Sequence, residues 1–319
     1  MLVAEELDAP CIARFAAAST VCLAAAQGEL RAALRTAVQR CLEPGAGPIS
    51  DALIACPYFH LPDDLVDLPE GAFRGSALTK LTLPAAISTI GDRAFEDCIE
   101  LVELTFPPGA TLTTIGICAF HNCSSLTQLN FPVGAALSTI CHGAFRGCSA
   151  LTKLAFPASA ALTAMGHGAC RDCTSLTSLT LPAALTYIDD FAFYRCACLV
   201  EVTFPAALVT IGNRVFYGCA SLVKVNLSAS LVTIGICAFT GCSLTELTLP
   251  ATLTTLSNYA FGDNRSLKKL TLSATLTTIG TGAFRFCNTN RIDSASANTR
   301  QIRVCQYNSA LASFVLCRQ

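Results

Sequence analysis

Residues 115–132 read IGICAFHNCSSLTQLNFP, and close variants of this string recur along most of the chain. The phenylalanine of its Ala-Phe pair marks the period, and Cys170 takes its place in one unit. These marker residues are Phe73, Phe95, Phe120, Phe145, Cys170, Phe193, Phe216, Phe239, Phe261 and Phe284, spaced 22 to 25 residues apart. A period of this length is typical of a solenoid, in which each unit exposes an apolar face that only the next unit covers.

Each unit predicts one short parallel strand followed by a turn of the solenoid. Residues 78–83 alternate apolar and polar side chains and stop at Pro84, which cannot donate a hydrogen bond to a neighbouring strand. A second apolar pair follows at Ile87 and Ile90, and a glycine or aspartate then leads into a short segment that we predict to be helical or 3₁₀. A degenerate first unit, with its strand at Cys56–Leu61, brings the prediction to ten repeats.

The string I-G-x-x-A-F-x-x-C-x-S-L-x-x-L-x-L-P is almost complete at residues 115–131 and 211–227. It resembles the BspA-like class of leucine-rich repeats, and the resemblance extends over Cys56–Cys287. The resemblance implies a leucine-rich repeat solenoid of the α/β type, built mostly from short parallel strands. For function it implies protein–protein interaction and, in some members, adhesion at the cell surface, with no catalytic residues to carry over.

The flanks of the repeat lack its pattern. Residues 10–42 are alanine-rich with leucines at helical spacing, so we predict a helical N-terminal cap within residues 1–54. The solenoid is expected over residues 55–289. A C-terminal loop and a small closing element are expected over residues 290–319, because residues 288–300 are polar and apolar side chains return after them.

Composition argues against several classes of partner. Mean hydropathy is +0.53, yet no run reaches the ~18 consecutive apolar residues of a spanning helix, so we expect no membrane insertion. The net charge of -1 provides no basic field for a nucleic acid. Acidic residues precede the alanine-rich run, which does not fit the positive start of a secretory signal.

Nineteen cysteines are present, and eight of them follow the marker position by three residues. They are Cys98, Cys123, Cys148, Cys173, Cys196, Cys219, Cys242 and Cys287. We interpret this cysteine column as small, buried apolar filling, since a continuous core does not need disulfides. Reduced thiols imply an intracellular, cytoplasmic protein. The alternative is a cell-surface or secreted adhesin of the same fold, in which sequons at Asn122, Asn226 and Asn264 would accept glycans.

Cysteine and histidine also suggest one chemical site. Cys170 and Cys173 have the spacing of a redox pair, but each already has a place in the repeat, so a structural role is favoured. His142 and His167 occupy the same position in adjacent units and should lie roughly 5 Å apart. A thiol or metal site formed by these histidines with Cys141 and Cys170 is therefore a further hypothesis, although we expect no cofactor and no bound metal.

Two departures from the repeat have structural interpretations. Met165 and Cys170 replace an isoleucine and the marker phenylalanine of one unit, and we predict that the methionine, helped by Phe191, fills the space of the missing ring. Three units are two residues longer after the proline, which predicts a local bulge from tolerated loop drift. The longer turns are Pro107–Ala110, Pro132–Ala135 and Pro157–Ala160.

Two surfaces compete as the binding site of a chain that we predict to be a non-enzymatic scaffold for another protein. The strand face comprises Tyr58, His60, Lys80, Glu103, Gln128, Lys153, Glu201, Lys224, Glu246 and Lys269. The rim, which follows the marker position, comprises Arg146, Arg171, Tyr194, Arg195 and Tyr217. Opposite charges alternate along parts of the strand face and should pair between strands about 4.8 Å apart. The rim is richer in the arginine and aromatic residues that anchor protein interfaces.

Overall fold

The computed structural model describes residues 32–294, except 33, 44, 56–58, 133, 158 and 290. Two series of short strands stack along the chain, and each repeat contributes one strand to each series. The first series contains the strands that precede the proline of the repeat, and the second contains the strands that precede the marker residue. The second series comprises β1 (Asp67–Leu68), β3 (Thr89–Ile90), β5 (Thr114–Ile115), β7 (Thr139–Ile140), β9 (Ala164–Met165), β11 (Tyr187–Ile188), β13 (Thr210–Ile211), β15 (Thr233–Ile234), β17 (Thr255–Leu256) and β19 (Thr278–Ile279). The first series comprises β2 (Lys80–Thr82), β4 (Glu103–Thr105), β6 (Gln128–Asn130), β8 (Lys153–Ala155), β10 (Ser178–Thr180), β12 (Glu201–Thr203), β14 (Lys224–Asn226), β16 (Glu246–Thr248), β18 (Lys269–Leu272) and β20 (Arg291–Ser294).

All of these strand pairings are parallel and join equivalent residues of neighbouring repeats, which confirms the predicted solenoid. The second series forms one sheet from β1 to β15 and a separate pair, β17 with β19. The first series forms a sheet from β2 to β10, a pair of β12 with β14, and a sheet from β16 to β20. In β2 the middle residue, Leu81, is buried while its neighbours face solvent, so each such strand has one face in the core.

The segment that carries the marker phenylalanine consists of turns, so the prediction of a helical or 3₁₀ segment is wrong for the described residues. Its N–H groups alternate between two kinds of partner. Ala94 donates within its own unit to the Gly91 carbonyl at 3.3 Å, whereas Phe95 donates to the Ala119 carbonyl of the next unit at 2.7 Å. The turns therefore bind successive units to one another, as the strands do.

Left-handed backbone explains why no helix forms there. The residues two before and two after the marker have positive φ in all ten units. Arg93 and Asp97, on either side of Phe95, have φ of 53° and 60°. A helix needs consecutive right-handed residues, whereas a type II turn requires positive φ at its third residue.

The marker rings form a stack through the centre of the solenoid. Neighbouring rings from Phe73 to Phe145 and from Phe193 to Phe284 are nearly parallel, with centroids 5.1 to 5.7 Å apart. Cys170 interrupts the stack and is fully buried, as is Met165 of the same unit. Phe191 does not fill the gap, because its half-buried ring lies against His167 and Tyr194 on the outside of the turn segment. The prediction that Phe191 helps fill the space of the missing ring is therefore wrong.

The cysteine column is a column of hydrogen-bond donors rather than simple apolar filling. Each thiol donates to the carbonyl of the marker residue in the preceding unit, at 2.8 to 3.3 Å. In Cys219, for example, burial raises the pKa to about 12, so the proton that makes this bond stays on sulfur at neutral pH. A buried carbonyl without such a partner would destabilise the fold.

Asn264 occupies the cysteine column in one unit and repairs an irregularity in the chain. The preceding unit has one residue between Cys242 and Leu244, where most units have two. The Asn264 amide donates to the Phe239, Phe261 and Gly262 carbonyls at 2.8 to 3.3 Å. Its oxygen accepts the Leu244 N–H at 3.2 Å. The fully buried amide thus satisfies backbone groups on both sides of the shortened connection.

The short connection coincides with a break in both strand series. Among the described strands, β14 does not pair with β16 and β15 does not pair with β17. We call this boundary the seam. Across it the turn segments remain bonded, as when the Phe239 N–H donates to the Ala260 carbonyl at 2.7 Å.

The ends of the described chain differ in part from expectation. Residues 34–41 are helical, within the predicted cap, and Leu34, Val38 and Leu42 are buried against the core. A one-turn helix, Asp51–Ile54, follows. The polar run at 288–300, predicted as loop, contains β20, which pairs with β18 because Ile292 alternates inward.

Three further predictions concern specific segments. Of the strand predicted at Cys56–Leu61, residues 56–58 lie outside the described residues and 59–61 are not a strand. The three longer turns each bury an alanine, Ala110, Ala135 and Ala160. None of the described helices is long and apolar enough to cross a membrane.

Candidate functional site

The strand face is largely occupied with its own charges. Glu103 lies 2.9 Å from Lys80, Glu201 lies 2.6 Å from Lys224, and Glu246 lies 3.8 Å from Lys269, as the alternation of charge predicted. Lys224 and Glu246 face each other across the seam without an ion pair in this structure. Because exposed pairs already satisfy one another, this face offers few uncompensated charges to a partner.

The other predicted strand-face residues are placed as follows. Gln128 and Lys153 are exposed at the starts of β6 and β8, and His60 is exposed near the N-terminal end of the solenoid. Tyr58 lies outside the described residues. The assignment of this face to binding remains a prediction.

The rim begins with a self-contained ion cluster. Glu96 lies 2.8 Å from the Nε of Arg74 and 3.3 Å from the Nδ1 of His121, and its side chain is only 11% exposed. Arg93 lies within 3.9 Å of the same carboxylate. The Glu96 carboxylate and these basic side chains therefore compensate one another, and the cluster offers a partner no unpaired charge.

Further along the rim, arginines and aromatic rings form a continuous surface. We define the aromatic–arginine patch as Arg171, Phe191, Tyr194, Arg195, Arg214 and Tyr217. The guanidinium carbons of Arg171 and Arg195 lie 4.9 and 5.2 Å from the centroid of the Tyr194 ring. The same ring stacks on Tyr217 with centroids 5.3 Å apart.

Phe191 extends the patch across the turn segment. Arg171 and Arg214 lie 5.8 and 5.5 Å from the centroid of its ring, and the Tyr194 ring lies 5.7 Å away. The three rings are half-buried, whereas Arg195 and Arg214 are exposed. Cation–π contact of this kind fixes the rings and guanidinium groups at a surface before any partner arrives.

Sequence reasoning identified Arg171, Tyr194, Arg195 and Tyr217 but missed Phe191 and Arg214. Arg146, also predicted, is exposed in the column of Arg171 one unit earlier. The missed residues stand two positions before the marker, in a column that holds glycine in four units. The sequence signal that could have identified them is a bulky residue in a column where four units have glycine.

Backbone strain is present in the patch, as it is in the turn segments of most units. Phe191, Arg195 and Arg214 have φ of 60°, 57° and 53°, a region that bulky side chains rarely adopt. Each costs on the order of 1 kcal/mol relative to glycine. Since Gly168 and Gly218 take the same conformation at equivalent positions of adjoining units, the fold itself does not need these side chains.

This strain gives a direct prediction for Phe191. Both Phe191→Gly and Phe191→Ala remove the ring, but only alanine retains a Cβ in the left-handed region. We expect the glycine variant to be about 1 kcal/mol more stable than the alanine variant, measured by urea unfolding. At Tyr194, where φ is not positive, the order should reverse, since glycine there only adds chain entropy. Equal stabilities of the two Phe191 variants would contradict the strain.

His142 and His167 border the patch and stack as predicted, with centroids 4.7 Å apart. Burial and the neighbouring His167 lower the pKa of His142, which favours its neutral form. Cys170, however, is fully buried in the core, so the proposed thiol or metal site does not assemble. Among the described residues, no three His, Cys, Asp or Glu side chains come together in a metal-binding group.

The Cys170–Cys173 pair has no geometry for redox exchange. Both thiols are fully buried. A hydrogen bond with Cys173, together with burial, raises the pKa of Cys170 well above its usual range. A reactive thiol needs a lowered pKa and access to solvent, and Cys170 has neither.

Comparisons with known proteins identify the repeat. A family model described as the BspA type leucine rich repeat region matches residues 66–199 and 186–312. A comparison with curated protein sequences gave no match.

Several solved structures are similar to the chain. A leucine-rich repeat protein of T. pallidum is 27% identical, with 57% of this chain and 74% of that chain covered and a TM-score of 0.41. A leucine rich cell surface protein from Faecalibacterium prausnitzii is 20% identical, with coverage of 73% and 84% and a TM-score of 0.39. The pneumococcal vaccine antigen PcpA is 22% identical, with coverage of 75% and 68% and a TM-score of 0.47.

Proposed function

The chain belongs to the BspA-type leucine-rich repeat family, and we propose on this premise that it is a non-enzymatic scaffold that binds another protein through the aromatic–arginine patch. Solenoids of this kind commonly bind partners through their extended surfaces. The observation that carries the proposal is that rings and guanidinium groups from three successive units contact one another on one surface, with the Arg171 and Arg195 guanidinium carbons 4.9 and 5.2 Å from the centroid of the Tyr194 ring.

The composition of the patch supports the same proposal. Tyrosine and arginine dominate the residues that contribute most to binding energy at protein interfaces. Half-buried rings held by neighbouring side chains lose little conformational entropy when a partner binds. The strand face lacks this combination, since its charges are paired with one another.

The proposal is tested by capture from a lysate of the native source with the full chain as bait. Phe191→Gly with Arg195→Gly removes two anchors at positions where glycine relieves strain, so the fold is retained. Lys224→Glu with Glu246→Lys is the matched variant on the strand face. We expect one captured protein to bind the patch variant at least ~30-fold more weakly, consistent with two lost anchors of about 1–2 kcal/mol each, and to bind the strand-face variant normally.

Other outcomes of this capture count against the patch. Loss of the same protein only with the strand-face variant would transfer the site to the strand face. Retention by both variants would remove the patch as a binding site. Circular dichroism of each variant serves as the folding control.

A cell-surface or secreted adhesin is the second candidate, favoured by the exposure of two sequons. Asn122 and Asn226 are exposed and each begins an N-x-S triplet, whereas Asn264 is fully buried. Mass spectrometry of protein from the native source should find glycans on Asn122 or Asn226 but not on Asn264 if this candidate holds. Unmodified asparagines throughout would count against it.

The intracellular location predicted from the cysteines has lost its basis. The thiols of the cysteine column serve as buried hydrogen-bond donors to backbone carbonyls, so the fold itself explains why they form no disulfides. Because the repeat itself requires these reduced cysteines, they are expected both inside the cell and at its surface. The proposed scaffold therefore does not depend on the location first predicted.

A further inference from the structure

We propose that the partner presents a short acidic segment to the aromatic–arginine patch, an inference that rests on the binding site proposed above. The patch has exposed arginine side chains whose donors the chain does not use. Contact with a ring satisfies none of the five N–H donors of a guanidinium group. Arg195 and Arg214 therefore carry unused donors beside the Tyr194 and Phe191 rings.

The nearby carboxylates are bonded to groups other than Arg195 and Arg214. Asp172 lies 3.2 Å from the Nε of Arg171. Asp190 accepts the N–H of Asn213 at 2.6 Å and its side-chain amide at 3.0 Å. Asp189 accepts the hydroxyl of Tyr187 at 3.2 Å.

Hydrogen bonds from neutral groups leave the negative charges of Asp189 and Asp190 in place, so the patch is distinguished by unpaired guanidinium groups and not by an excess of positive charge. Among the described residues, neither Arg195 nor Arg214 has a salt bridge. Both are exposed. The patch therefore offers two guanidinium groups that no carboxylate of the described residues pairs with directly.

A carboxylate is the group that fits these donors. A guanidinium binds a carboxylate through two parallel N–H···O bonds, and such bonds are stronger than those between neutral groups. The rings beside the guanidinium groups add apolar contact for the backbone and methylene groups of a peptide. Arginine and aromatic rings together thus favour an acidic stretch of polypeptide.

The extent of the patch argues for a short segment. Its residues lie in three successive units, and the bordering histidines extend it by one more. Adjacent parallel strands lie about 4.8 Å apart, so the charged surface is on the order of 15 Å long. A nucleic acid would need a longer basic surface, and the chain as a whole has a net charge of -1.

The test measures binding of a fluorescein-labelled peptide of alternating glutamate and serine to the full chain by anisotropy. Its counterpart of alternating glutamine and serine is the uncharged probe. Arg195→Gln with Arg214→Gln removes two patch charges, and Lys224→Gln with Lys269→Gln removes two strand-face charges. We expect the glutamate peptide to bind the patch variant at least tenfold more weakly and the strand-face variant normally. Added salt should weaken its binding to the wild-type chain.

Three results would overturn the inference. The first is equal binding of the glutamine peptide, and the second is equal loss with both variants, which indicates non-specific attraction. The third is a sulfated glycan such as heparin displacing the peptide and binding more tightly in a patch-dependent way, which assigns the patch to a different ligand class.

The proposed function and this inference fail separately. If the captured protein still requires Phe191 and Arg195 while the glutamate peptide ignores the arginines, the scaffold proposal stands and the acidic partner is wrong. If capture is independent of the patch, the scaffold proposal fails at its site.

Discussion

Asn264→Leu is expected to lower the free energy of unfolding by about 3–5 kcal/mol, because leucine fills a similar volume without hydrogen-bonding groups. The buried Leu244 N–H and Phe239 carbonyl would each lose a partner. A buried backbone group left unsatisfied costs about 1–3 kcal/mol. Urea unfolding followed by circular dichroism measures the loss.

Two further variants separate the roles of the Asn264 amide. Asn264→Cys restores the usual residue of the column and keeps a donor to the Phe239 carbonyl, but it leaves Leu244 without an acceptor. We expect it to lose about half as much stability as the leucine variant. Inserting an alanine between Ser243 and Leu244 restores the usual spacing and should recover most of that loss in the cysteine variant. An Asn264→Leu protein with the wild-type unfolding midpoint would contradict this account of the amide.

Phe216→Ala is expected to cost about 3–5 kcal/mol, the range for removing a fully buried ring. The ring lies between Phe193 and Phe239, with centroids 5.3 and 5.2 Å away, and it meets Phe204 edge-on at 5.7 Å. Truncation removes three ring contacts at once and leaves a cavity that the stacked backbone cannot close. The change is measured by urea unfolding.

Cys170→Ala is the matched control for that prediction, because it truncates the marker position where the stack is already interrupted. It should cost only about 1 kcal/mol, since one sulfur atom is removed. Comparable losses in the two variants would show that stacking of the rings adds little to the stability of the core.

Much of the fold could be predicted from residue spacing. The marker phenylalanine gave the period, and a proline after an alternating segment located the strands of the first series near Leu81 and its equivalents. The turn segments could not be assigned correctly, because Ala-Phe favours helix locally. Left-handed residues such as Arg93 and Asp97 prevent it, and the hydrogen bonds that reward them lie in the next unit.

The roles of individual side chains were harder to predict. Apolar packing explained why cysteine suits its column, but Ser76 and Asn264 stand in the same column, and these residues share hydrogen-bonding ability rather than hydrophobicity. Phe191 was predicted to help fill the space of the missing ring at Cys170. Its position two residues before the marker places it outside, since side chains of that column leave the turn away from the stack.

The seam has a consequence for how the molecule opens. Neither strand series pairs across it, so the units on its two sides are joined by turn-segment bonds, packing, the Asn264 amide and isolated hydrogen bonds such as that from the Ser257 hydroxyl to the Ile234 carbonyl at 2.7 Å. Solenoid stability is approximately the sum of unit stabilities and nearest-neighbour couplings. The coupling at the seam lacks strand pairing in both series, whereas between β10 and β12 only the first series is interrupted. We therefore expect the units after Leu244 to open and reclose as one cooperative block while the longer block before it remains folded.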